Sequence, residues 1–191
     1  MFATLRSFAV ALLVAAIATP ALAHTGHDMA FGLVSGFLHP MGGIDHLLAM
    51  IAVGLWAAWL GGRAIWLVPG AFVVAMIGGA AIGYAGIAFS LTGIAIALSV
   101  VLLGLFVAFR LRLLLAVSMA AVALFGLAHG HAHGGEIAVG ASVWQYVLGF
   151  TLTTILLHAI GIAAGQISAR GALPRAAGAV TAAAGILLLA V

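Results

Sequence analysis

The stretch His39-Pro40-Met41-Gly42-Gly43-Ile44-Asp45-His46 decides how this chain is read. It sets two imidazoles and a carboxylate inside a run of apolar residues. A second stretch matches it in polarity, His129-Gly130-His131-Ala132-His133-Gly134-Gly135-Glu136. Together the two hold five of the eight histidines and two of the three acidic residues.

The background against which they stand is oil. Of 191 residues, 66% are apolar and only 5% are charged. Soluble domains carry roughly 25% charged residues. The composition predicts an all-α, polytopic membrane helix bundle whose first partner is the lipid bilayer. The net charge of +3 comes from arginines scattered singly at helix ends, which gives no footprint for nucleic acid. There is no cysteine, so disulfides and thiolate metal sites are excluded.

Residues 1–23 read as a cleaved signal peptide. Arg6 is the positive n-region, and Phe8 to Ile17 is an apolar stretch too short to span comfortably. Pro20 breaks the helix before Ala21-Leu22-Ala23, a small-x-small cleavage site. The mature chain, 24–191, would then be one transmembrane domain beginning with His24 and His27, which offer loose metal contacts.

Six apolar spans come after it, at about Phe31–Leu60, Ala64–Tyr84, Ile87–Phe109, Leu113–His133, Val143–Ile167 and Leu173–Val191. The first is interrupted at His39-Pro40-Gly43, because Pro40 disfavours helix at His39 and the two glycines loosen the chain before Ile44. A new segment is expected near Ile44, with Asp45 and His46 in its first turn. Only a few residues around Gly86 are expected to link spans two and three. Arg63, Arg110, Arg112, Arg170 and Arg175 all fall on one side under this count. The positive-inside rule makes that side cytoplasmic, with the N-terminus and C-terminus periplasmic in a bacterial inner membrane. Glycine pairs four apart, such as Gly79 with Gly83 and Gly126 with Gly130, predict close helix packing.

At about 100° per residue, His129, His133 and Glu136 share one helical face while His131 points away. Imidazoles at i and i+4 suit one divalent ion, and a carboxylate one turn on completes a ligand set. Gly134 and Gly135 are placed to fray that helix end. The topology brings His39, Asp45 and His46 to the same outer depth. Met50, one turn beyond His46 on the same face, offers a soft sulfur but reads as packing ahead of ligand. His158 lies deeper, either as a second station or hydrogen-bonded to Thr153, Thr154 or Gln166. Gln145 and Tyr146 read as interface residues. By ligand type the site suits nickel, zinc, cobalt or copper.

The stretch H-P-M-G-G-I-D-H resembles the H-P-x-x-G-x-D-H signature of the HupE/UreJ family of hydrogenase and urease accessory membrane proteins. H-G-H-A-H-G-G-E resembles that family's second signature, H-G-x-A-H-G-x-E. Ala128 stands where the family often has Phe. The resemblance implies nickel uptake across the inner membrane by secondary or facilitated transport. It implies metal roles for His39, Asp45, His46, His129, His133 and Glu136.

Three functions compete on residues alone. A metal permease is favoured, and no G-x-x-x-x-G-K-[ST] loop is present to hydrolyse ATP. An intramembrane zinc-dependent hydrolase would use the same ligands with Glu136 or Asp45 as base. A haem carrier would need its histidines spread for a macrocycle, whereas here they cluster. The expectation is therefore a transporter rather than an enzyme; whether it forms a homo-oligomer the sequence leaves open.

Overall fold

Long apolar runs broken by glycine, proline and arginine fold as seven α-helices in the computed structural model, which describes residues 32–137, 142–168 and 171–190. We number them α1 (Leu33–Gly42), α2 (Ile44–Leu60), α3 (Ala64–Tyr84), α4 (Thr92–Ala108), α5 (Leu115–Gly135), α6 (Val143–Ile167) and α7 (Leu173–Leu189). The described residues contain no strand. The signal segment, His24, His27 and Arg170 lie outside the described residues.

Three helices, α3, α5 and α6, are long and apolar enough to cross a bilayer, and α1 with α2 passes the same test as a pair bent by 88°. The two remaining helices, α4 and α7, have 17 residues each. At 1.5 Å per residue they reach only about 25 Å, short of a ~30 Å hydrocarbon core. The six expected spans therefore appear as three long helices, one bent pair and two shorter helices. Large apolar side chains such as Trp66, Val74 and Leu124 face outward and are mostly exposed. That is the arrangement a bundle presents to lipid. The protein is thus a multi-pass helical membrane protein.

The break in the first span falls at the far edge of the expected interval, at Gly43 rather than at His39. Helix α1 continues through His39 and Pro40 to Gly42, and the turn falls at Gly43, whose φ of −105° and ψ of 119° are extended. Pro40 is near the end of a ten-residue helix, and the residue four before it is Gly36, which has no side chain to crowd the ring. The second segment does begin at Ile44, with Asp45 in its first turn. Span three also starts later than expected. Residues 85–91 form a longer link, turned at Gly86 (φ 73°) and closed by the Thr92 hydroxyl donating to the Phe89 carbonyl at 2.6 Å. Gly134 and Gly135 do not fray α5. Gly134 lies so close to the Ala80 carbonyl that a Cβ would collide with it, and this contact holds the last turn in place.

Glycines set the pairing. Along α3 and α5, Gly126, Gly130 and Gly134 meet the carbonyls of Phe72, Met76 and Ala80, while Gly79 and Gly83 meet those of Leu127 and His131. Both numberings rise together, so α3 and α5 run parallel. Likewise α2 and α6 run parallel, Gly54 and Gly161 facing each other. By contrast α4 and α7 are antiparallel, with Gly104 against Ala182 and Gly185 against Val101. These directions match consecutive crossings of alternating sense.

One end of the bundle gathers basic residues. The indole N–H groups of Trp56 and Trp59 donate to the carbonyls of Leu111 and Arg110, at 2.9 and 2.7 Å. Arg110 and Arg112 each stack 4.8 Å from the Trp59 ring centroid. Arg175 donates to the Ala108 carbonyl at the same end. The opposite end carries Gly43, the Thr92 turn and Glu136, so the polar motifs and the arginines are segregated.

Candidate metal centre

The two motifs meet near the arginine-free end, where the start of α2 lies against the end of α5. His46 enters from the first turn of α2, His39 from the last turn of α1, and His129 and His133 from successive turns of α5. His39 and His133 have ring centroids 4.9 Å apart, His46 and His133 4.5 Å, and His46 and His129 4.7 Å. Glu136, the residue capping α5, receives a hydrogen bond from His39 Nε2 at 2.6 Å. The result is a ladder that runs inward from exposed Glu136 through His39, His133 and His46 to fully buried His129.

Hydrogen bonds fix which ring nitrogens are free. A carboxylate only accepts, so the 2.9 Å contact to Asp45 Oδ1 puts the proton of His46 on Nδ1. That leaves the buried Nε2 with a bare lone pair and no partner. The same Asp45 oxygen also accepts from the His46 backbone N–H at 2.8 Å. Ser99 on α4 does similar work for His129. Its hydroxyl donates to the Ile96 carbonyl at 2.7 Å, so His129 Nε2 donates to Ser99 Oγ at 2.9 Å. His129 Nδ1 is then the unpartnered, buried nitrogen. Neither nitrogen of His133 has a partner. Each buried orphan costs about 1–3 kcal/mol. Three imidazoles left this way in one cluster form a nitrogen donor set of the kind divalent metals take.

Single donor atoms of His39, His133 and Glu136 lie within 4.8 Å of one another. Donors shared by one tetrahedral ion sit roughly 3.4 Å apart, from metal–nitrogen bonds of ~2.05 Å. Closing the outer trio onto an ion is therefore a matter of about an ångström, with the His39–Glu136 contact opening to admit it. The hydrogen bond from His39 holds the Glu136 carboxyl below its usual range. Glu136 is thus ionised and ready to meet a cation at neutral pH. Asp45 and Glu136 are the acidic groups among the described residues, and their two negative charges balance one divalent ion.

The other expected contacts divide. His131 turns away as its spacing predicts, its Nδ1 at 2.9 Å from the Thr92 hydroxyl and its Nε2 at 2.8 Å from the Ile87 carbonyl. It ties α5 to the link before α4. His158 is buried on α6, and neither ring nitrogen has a partner; the alternatives Thr153 and Thr154 donate instead to the carbonyls of Phe37 and Phe150. Met50 is fully buried. Tyr146 is no interface residue: it is 4% exposed and packs 5.6 Å from the His39 ring. Ser99 and Phe150, which stacks on His133 at 5.0 Å, went unforeseen. Ser99 had a faint signal as a hydroxyl inside an apolar span.

Helices of this length and exposure, enclosing imidazoles and carboxylates with free lone pairs, define a class: a multi-pass membrane protein with a cluster of polar side chains among its helices. The particular family emerges from comparison. Residues 11–188 match the family model described as HupE / UreJ protein, and the chain belongs to that family. It is similar to "Protein HupE" from Rhizobium leguminosarum bv. viciae, 44% identical over 165 residues, covering 82% of this chain and 86% of that protein. No solved structure matches the chain.

Proposed function

We propose that this protein is an uptake permease for nickel or a closely similar divalent ion, carrying it across a bacterial inner membrane to supply a hydrogenase or urease. The observation that supports the reading best is the ladder of imidazoles, each within 5 Å of the next, with buried nitrogens that no protein group claims. Glu136 and His39 at the exposed end capture the ion as it sheds water. His133 faces both His39 and His46, so it can exchange one neighbour for the next without releasing a bare ion. Asp45 acts from behind His46, holding its tautomer and lending charge. Neutral imidazoles bind reversibly, which a carrier needs in order to let go.

In this reading the chain crosses six times with both termini periplasmic and the arginine-rich end cytoplasmic. The bend at Gly43 is the interrupted helix that transporters use to line a cation site. The drive is the membrane potential, which favours inward movement of a divalent ion by about 4.6 kcal/mol per 100 mV. Transport is secondary or facilitated.

The test is accumulation of radioactive nickel in cells producing equal amounts of wild type, His46→Ala or His133→Ala. At least a tenfold loss in both variants is expected. Equal uptake by wild type and variants would rule the reading out. Zinc-dependent turnover of a lipid or peptide by the purified protein would favour the hydrolase instead.

A further inference from the structure

The imidazole ladder stops at His129. Its next neighbour inward is the Phe72 ring, at 5.7 Å, and beyond that ring lies His158, at 5.2 Å from Phe72. On α3, Met76 is one turn from Phe72 on the side of His129, its carbonyl against Gly130; on α2, Met50 is one turn past His46; on α6, Thr154 is one turn before His158. All three elements converge on Thr154 Oγ1, which lies 3.3 Å from Met50 Sδ and 3.5 Å from Met76 Sδ.

The hydrogen count at that oxygen is decisive. A threonine hydroxyl has one proton. The Phe150 carbonyl, at 2.8 Å, is the nearer and stronger acceptor and takes it. Both thioether sulfurs therefore keep their lone pairs. Both methionines are fully buried, and His158 is 2% exposed with neither nitrogen partnered. Two sulfurs thus meet at one hydroxyl at the junction of three helices, and an orphaned imidazole, His158, follows that hydroxyl by one turn on α6.

We propose that Met50, Met76 and His158 form a second, inner cation station of two thioethers and one imidazole, which takes the ion from His129 past the edge of Phe72. This rests on the permease reading above. The station is uncharged, in contrast to the outer cluster with its two carboxylates. It therefore holds a divalent ion more weakly and passes it on. Its sulfurs favour softer, late transition metals and discriminate against magnesium and calcium, which take oxygen ligands. Phe150 stacks on His133, so His158, two turns further along α6, is about 12 Å deeper than His133, while Thr154, where the sulfurs meet, is about 6 Å deeper and level with His129.

The experiment uses purified full-length protein titrated with nickel chloride and probed by X-ray absorption at the nickel edge. Saturated wild type is expected to show sulfur as well as nitrogen neighbours. Met50→Leu/Met76→Leu, a volume-conserving pair, should lose the sulfur signal and keep the first binding equivalent. Met41→Leu, at an exposed methionine near the outer cluster, should keep it. In cells, the double variant should transport nickel at least tenfold more slowly. Absence of sulfur neighbours in saturated wild type would overturn the station, as would wild-type transport by the double variant. If wild type accumulates no nickel, the permease reading fails, while the sulfur signal still judges the station.

Discussion

His129 Nε2 lies 2.9 Å from Ser99 Oγ, and that one contact fixes which side of the ring faces the cluster. Ser99 has given its own proton to the Ile96 carbonyl, so the imidazole must donate and its Nδ1 must be bare. Groups that orient a ligand in this way typically contribute 10–100-fold to metal affinity. Ser99→Ala removes only an oxygen from a fully buried site. We expect a 10–100-fold weaker nickel titration with an unchanged unfolding temperature to within a few degrees. Unaltered affinity would mean that the tautomer is not under Ser99's control.

Asp45 tests the same logic from the other side. Its Oδ1 holds both the backbone N–H and Nδ1 of His46. Asp45→Asn retains the shape and loses the charge, and its amide can turn nitrogen or oxygen toward the ring. We expect a 10–100-fold loss of nickel affinity, with the same set of nitrogen neighbours on the bound ion. Loss of an oxygen neighbour in the Asn variant would instead make Asp45 a direct ligand.

Much of this was legible in the residues, and the exceptions have physical causes. The pairing of the two motifs came from alternating crossings, and His131 facing away came from helical periodicity. The break was legible as an interval, His39 to Gly43, but its exact residue was not. A proline signals trouble at the residue before it, but Pro40 sits where the helix was about to end and opposite a glycine, so the turn moved to Gly43. Tyr146 carried the signature of an interface aromatic, yet it is buried against His39, because amphipathic rings serve either place. Ser99 escaped notice because a lone hydroxyl in an apolar span has no periodicity to betray it. Whether a sulfur or a ring nitrogen is free depends on long-range contacts, which no spacing encodes.

Protonation gives a further expectation. Imidazole must be neutral to bind metal, so protons compete for the same lone pairs. Nickel affinity should therefore fall as the pH is lowered. Glu136 adds a separate signature. Its carboxyl is depressed from 4.5 by the His39 hydrogen bond, so its contribution to stability is present above that value and is lost as pH falls below it. The pair is partly exposed, so this is at most about 1 kcal/mol. Comparing metal-free wild type with Glu136→Gln, we expect a small difference in unfolding temperature at pH 7 that disappears well below pH 4. A difference that grew with acid would reverse the assignment.

The parallel pairing of α3 with α5 is what delivers His129 and His133 to His46, and it depends on glycines that cannot be replaced. A Cβ at Gly130 would strike the Met76 carbonyl, and one at Gly134 the Ala80 carbonyl. Neither obstacle is a flexible side chain, so the helices themselves would have to part. Overpacking of this kind costs about 1–3 kcal/mol, and displacement of α5 would also spread the imidazoles. Gly135→Ala is the matched control, since nothing lies within 4 Å of its added carbon. In detergent, Gly130→Ala should lower the unfolding temperature by several degrees and weaken nickel binding together. Gly135→Ala should change neither by more than the error of measurement. Should Gly130→Ala retain both stability and affinity, the close approach of α3 and α5 would not be what positions the imidazoles.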